Sequence, residues 1–244
     1  MDSLFEHLGR KAGRAVRKGR WVFQSLGGTD EEAIKAEGQV GHDLAAELAA
    51  QCEVERDPEI RHWLTAIGER LLARLKNRKR HFTFHILVAP EPNAFALPGG
   101  YIFVTTGLLQ LCQRDRDEVA FVLAHEIAHV SRRHAVERLL TNSVLRAACG
   151  TLPVRNALGS WLRQVGTGFL TSAYSRENES EADEFAVRLT TAAGIPAVAA
   201  ERLLSRLLQQ QKSAGASALG EYFGTHPPLP DRIRHVQELS VPRT

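Results

Sequence analysis

The stretch "AFVLAHEIAHV", residues 120–130, sets two histidines and a glutamate, His125, Glu126 and His129, in the middle of an otherwise apolar run. It holds no Gly or Pro and follows Asp115, Asp117 and Glu118, an acidic first turn that suits the positive end of a helix dipole. The pattern predicts a helix over 115–139. A helix apolar on nearly every side belongs inside a fold, where an unpaired charge costs several kcal/mol. The three polar groups in its centre therefore need partners or a metal.

On a helix, positions i and i+4 lie one above the other, so His125 and His129 can turn a ring nitrogen toward the same ion. Glu126 then flanks that ion without binding it, placed to take a proton from an activated water. This is the H-E-x-x-H arrangement of zinc peptidases. The competing account is a core helix whose histidines are merely hydrogen-bonded. A catalytic zinc usually has three protein ligands and an open position, so two histidines do not complete a site. A third histidine six residues on is missing, because that position is Ala135.

The acidic segment "YSRENESEADEFAVRL", residues 174–189, offers the missing ligand. Glu179 and Asp183 are four apart and share a helix face, whereas Glu181 stands about 200° round from Glu179. We expect Glu179 as third ligand and Asp183 as the acceptor holding a ligand imidazole in its metal-binding tautomer, with Glu181 as the lesser option. An acidic first turn serving only the helix dipole would leave the same sequence.

The chain around these segments has 244 residues, 43% of them hydrophobic, enough for a full core. We expect a basic N-terminal arm at 1–30 and one domain over 31–244. Six Lys/Arg between Arg10 and Arg20 stand beside Leu4, Phe5, Leu8, Val16 and Trp21, a composition suited to lying on an anionic membrane surface or to packing as a solvated arm. The net charge of +3 is modest, and we expect no nucleic-acid partner. Cys52, Cys112 and Cys149 are too few and scattered for a disulfide framework, which favours a reducing compartment. No signal-like apolar run opens the chain and no stretch reads as a transmembrane helix, so the expectation is a cytoplasmic, membrane-peripheral protein.

Helices are expected at 31–51 and 58–76, the second capped by Asp57 with Pro58 at its first position. The period then changes: "FTFHILVA" at 82–89 and "YIFVTT" at 101–106 read as strands joined by "PEPNAFALPGG". Further helices are expected at 141–149, 154–172, 177–193, 196–213 and 229–239, with a loop centred in 209–224. The fold class is thus α+β, mostly helical, with a small sheet beside the metal-binding helix.

H-E-I-A-H-V with Arg133 and His134, then "SRENESEAD" at 175–183, then "THPPLPDRI" at 225–233, resembles the HtpX, Oma and CAAX-prenyl-endopeptidase family of gluzincin metallopeptidases, peptidase family M forty-eight. "NAFALPGGYIFVTTGLL" at 93–109 is similar to the segment before the metal helix in its soluble, Oma-like or BepA-like branch. The resemblance implies a zincin-like domain with one zinc held by His125, His129 and Glu179, Glu126 as general base, and Asp183 as helper. It brings His226 near the metal, either to stabilise the oxyanion or to fill the open position and silence the enzyme. Arg176, His134 and Arg232 match too, and a salt bridge tying down the last helix is the simpler reading of Arg232.

If "NAFAL" forms an exposed edge, it can pair with a peptide bound as an extended strand, with Asn93 and Phe95 as contacts. The expected activity is a zinc endopeptidase acting on misfolded or membrane-associated proteins, a role in protein quality control. The alternatives are a latent or chaperone-like zinc protein capped by His226, and a zinc hydrolase acting on a non-peptide bond.

Overall fold

The computed structural model describes residues 29–138, 174–214, 226 and 229–240. Most of the expected basic arm, the helices at 141–149 and 154–172, the rest of 139–173 and the centre of the 209–224 loop lie outside them.

Helix α1, Asp30–Gln51, starts at a capping box in which Thr29 accepts from the Glu32 amide and Glu32 reaches back to the Thr29 N–H. Helix α2, Pro58–Leu72, starts as expected, with Asp57 accepting from the Glu59 amide and Pro58 at the first position. It ends four residues short of the expected limit. A three-stranded sheet follows: β1, Thr83–Leu87, pairs in parallel with β3, Tyr101–Thr105, which pairs antiparallel with β2, Ala94–Leu97.

Strand β2 sits where residue types alone suggest a connector. Ala-Phe-Ala-Leu has no β-branched residue, and its register is fixed by tertiary pairing, with Phe95 opposite Phe103. It lies at the edge of the sheet, yet all four of its side chains are buried, because the strand packs against α1 as well as the metal-motif helix. The expectation of an exposed segment is corrected to that extent. The β2–β3 hairpin turns through Pro98–Gly100 with Gly99 at φ 79°, where α1 approaches so closely that a Cβ on Gly99 would meet the Gly38 Cα at 2.6 Å.

A short helix α3, Thr106–Leu111, absent from the sequence reading, leads to α4, Arg116–Ser131. Asp115 caps α4 by accepting from the Asp117 and Glu118 amides, and every residue from Glu118 to Val130 is buried. Helix α5, Arg176–Ala192, lies along α4; α6, Val198–Ala214, and α7, Leu229–Ser240, close the far side. The buried Glu118 carboxylate anchors α6 through Arg202 at 3.2 Å and Arg206 at 3.1 Å. The architecture is therefore mostly helical with one small sheet, as the sequence implies.

Helix α4 stops eight residues before its expected end. Arg133 takes a left-handed conformation, φ 66°, a position usually given to Gly, and residues 134–138 resume as helix in a new direction. The Arg133 Nε donates to Glu37 Oε1 of α1 at 2.8 Å, and Arg80 pairs with the same buried carboxylate. A contact 96 residues away thus helps hold the turn.

Two glycines of α1 give opposite expectations. A Cβ at Gly38 meets nothing within 4 Å, so Gly38→Ala should raise unfolding free energy by about 0.5–1 kcal/mol in urea titration. A Cβ at Gly41 would stand 1.7 Å from the Pro98 carbonyl oxygen. Gly41→Ala should therefore cost about 1–3 kcal/mol in the same titration.

Candidate active site

The residues singled out in the sequence converge. His125 and His129, one turn apart on α4, present their Nε2 atoms to each other at 3.0 Å. Glu179 of α5 enters between them, its Oε1 3.3 Å from His129 Nε2 and its Oε2 3.5 Å from His125 Nε2. His226 closes the group, with Nδ1 2.8 Å from Glu179 Oε1 and 3.4 Å from His125 Nε2. One ligand atom from each of the four falls within 4.8 Å of all the others, and all four residues are buried.

Such a concentration of lone pairs in a protein interior asks for a cation. Four donors around an ion with bonds of about 2.0–2.1 Å stand about 3.3–3.4 Å apart if the geometry is tetrahedral. The separations of 3.0, 3.3, 3.4 and 3.5 Å lie around that spacing, and the His226–Glu179 pair, at 2.8 Å, is closer. Imidazole nitrogens with a carboxylate oxygen are the donors a zinc-sized ion takes, so the residues present fit one.

The surroundings set the charge state of each donor. Burial raises the Glu179 carboxyl, but His226, Arg232 and His125 outweigh it and hold the group well below the usual carboxylate range. Burial and Arg232 lower His125, and Glu179 with Asp183 overcome both, pushing it up to about 9, so this spot favours positive charge. Burial keeps His129 neutral, well below the ordinary histidine value.

Asp183 lies one turn beyond Glu179 on α5, its Oδ1 2.9 Å from His125 Nδ1. A proton on His125 Nδ1 donated to that oxygen leaves the Nε2 lone pair facing the cluster. Asp183 is completely buried and held ionised by Arg232 of α7, whose Nε and Nη2 donate to its two oxygens at 2.8 Å each. A third Arg232 nitrogen, Nη1, stands 3.0 Å from Glu179 Oε2. Arg232 does make the salt bridge expected of it, and the partners are the carboxylates of the site itself. Through that fork α7, the helix just after His226, is tied to α5.

Glu126 is buried beside the group, its Oε1 3.7 Å from His226 Nε2, and its Oε2 accepts no hydrogen bond from the described residues. Glu181 points away from the cluster as its helical angle requires; its half-exposed carboxylate meets Arg132 Nε at 3.0 Å and His134 Nε2 at 3.2 Å. Asn93 and Phe95 lie in and beside β2, not in the cluster. Phe95 stacks on Phe103 with centroids 5.3 Å apart, and the Asn93 backbone is bonded to Thr105 on both its N–H and its carbonyl.

Sequence reasoning missed Tyr174. Its ring stacks on His129 with centroids 3.8 Å apart and 13° between planes, and the Arg138 guanidinium covers its ring at 4.1 Å. Burial lifts the Tyr174 hydroxyl well above its ordinary value. No spacing rule connects a tyrosine 45 residues downstream with a helix histidine.

Comparison with known proteins identifies the family to which these residues belong. The model of Peptidase family M48 matches residues 58–240, from α2 to the last residue of α7. Mitochondrial metalloendopeptidase OMA1 of Schizosaccharomyces pombe is 31% identical over 180 residues, covering 72% of this chain and 52% of that protein. The putative beta-barrel assembly-enhancing protease of Vibrio cholerae is 31% identical over 198 residues, covering 76% and 40%. Mitochondrial metalloendopeptidase OMA1 of Saccharomyces cerevisiae is 32% identical over 165 residues, covering 63% and 46%. The chain spans about half, or less, of the length of these relatives. With the family's match taking in every residue of the buried cluster, the chain belongs to Peptidase family M48.

Proposed function

We propose that this chain is a zinc-dependent metalloendopeptidase of the gluzincin type, with His125, His129 and Glu179 as ligands of one zinc and Glu126 as general base. The observation that carries the reading is the buried cluster of four donors contributed by three separate segments, α4, α5 and His226. Two histidines and a glutamate are a donor set of catalytic zinc, which supplies Lewis acidity to a peptide carbonyl and acidifies water toward neutrality. The Glu126 carboxylate accepts the proton of the attacking water and delivers it to the leaving amine. Asp183, with Arg232 behind it, keeps His125 in the tautomer whose Nε2 can bind. Family membership and relatives named as metalloendopeptidases support proteolysis over hydrolysis of a non-peptide bond.

Substrate is proposed to be unfolded or membrane-associated protein, held as an extended strand along β2. Support comes from the sheet order, in which β2 has one strand neighbour among the described residues and packs against α4. Asn93 and Phe95 would then shape the strand from within, not through exposed side chains. Residues 1–30 are proposed as a basic arm on a peptidase domain that meets anionic membranes peripherally from the cytoplasm.

The position of His226 favours a second reading of the resting state. A catalytic zinc keeps a position open, whereas His226 Nδ1 stands among the donors as closely as the other ligands do. The resting protein is then a latent enzyme whose fourth position is capped until His226 withdraws.

Three outcomes test these readings. Glu126→Gln should lower casein cleavage by about 10²–10⁴-fold with zinc content unchanged; retained cleavage would remove Glu126 from the chemistry. His226→Ala should raise casein cleavage several-fold, and a fall instead would mean that His226 serves the transition state. Full-length protein should sediment with anionic liposomes more than a chain lacking residues 1–30, and equal sedimentation would end the membrane-arm proposal.

A further inference from the structure

Asp183 faces the Nδ1 of His125, and among the described residues no carboxylate is bonded to the Nδ1 of His129. What His129 has is His134, five residues on, with Nδ1 3.1 Å from His129 Nδ1. On the other side of that ring, His134 Nε2 stands 3.2 Å from Glu181 Oε2, and Arg132 Nε holds the second Glu181 oxygen at 3.0 Å. His134 is buried, only 3% exposed. It reaches this place because the chain reverses at Arg133, whose left-handed backbone and bond to Glu37 swing residue 134 back beneath α4.

We propose that His134 and Glu181 are positioning residues for zinc, forming a relay that fixes the metal-binding tautomer of His129. The inference rests on the reading of His129 as a ligand. If its Nε2 binds metal, the neutral ring carries its proton on Nδ1 and must donate it. Only a His134 with a bare Nδ1 can accept, and that tautomer carries its own proton on Nε2, where Glu181 accepts it. Each link leaves one choice for the next. Tyr174, stacked on the His129 ring, restricts its plane but cannot choose between the two nitrogens.

The relay differs from the His125 arm in one physical respect. Asp183 is a fully buried carboxylate paired with Arg232, whereas Glu181 is half exposed. Interposing an imidazole lets an outer carboxylate orient a ligand without placing a further buried negative charge beside the site.

Zinc affinity measured by competition with a chromophoric chelator tests this without reference to activity. His134→Phe keeps the ring volume and removes the acceptor; it should weaken zinc binding about tenfold to a hundredfold. His134→Asn places an amide oxygen the same number of bonds from Cβ as Nδ1 and should restore affinity to within about threefold of wild type. Glu181→Leu, at a half-exposed position where folding is not at stake, should weaken binding by about three- to tenfold. Long-range proton–nitrogen spectra of the zinc-loaded protein should show His134 protonated on Nε2. Unchanged affinity in His134→Phe and Glu181→Leu, an Asn variant as weak as Phe, or a proton on His134 Nδ1 would overturn the relay while leaving the ligands in place. Absence of zinc binding by the wild type would instead overturn the ligand reading beneath it.

Discussion

Three imidazoles and a carboxylate crowd within 4.8 Å of one another in the interior of this protein, and the rest of the structure is arranged around making that tolerable. Left to themselves, buried polar groups with lone pairs directed at one point cost several kcal/mol. The arrangement is stable when a cation occupies the centre and each ring has an outer partner to take its remaining proton. The structure sets Asp183 against His125 and His134 against His129, and Arg232 bridges Glu179 and Asp183.

The elements follow from that demand. Helix α4 must be buried on all sides because its middle carries the motif, and so it is enclosed by β2, α2, α5 and α6. Its first turn is anchored to α6 through Glu118, its far end to α1 through Arg133 and Glu37. Helix α5 contributes Glu179 and Asp183 from one face and Glu181 from another, so a single helix supports both histidines of α4. Arg232 makes α7 part of the site, and any withdrawal of His226 happens beside a helix that is itself pinned to Asp183.

Much of this was readable from local rules. The i, i+4 spacing put His125 with His129 and Glu179 with Asp183, and the 100° step per residue turned Glu181 away, which is where it lies. The Asp57 cap and the acidic turn at Asp115, Asp117 and Glu118 located helix starts because those signals are local. The misses share a cause. Strand β2 has no β-branched residue and exists through its pairing with β3; the end of α4 at Arg133 has no Gly or Pro and depends on Glu37; Tyr174 and His134 meet His129 only after the chain has turned. Each is settled by a partner distant in sequence, or by a turn that such a partner holds. The family resemblance supplied His226, which spacing alone could not.

The central claim is that Glu179 completes a zinc site with His125 and His129. It is tested most directly by the metal content of the purified protein, measured by plasma mass spectrometry after zinc loading and dialysis, for wild type and Glu179→Gln. The account predicts about one zinc per chain in wild type and a large loss in the variant, with the fold retained. No zinc in wild type, or equal zinc in both, would contradict it.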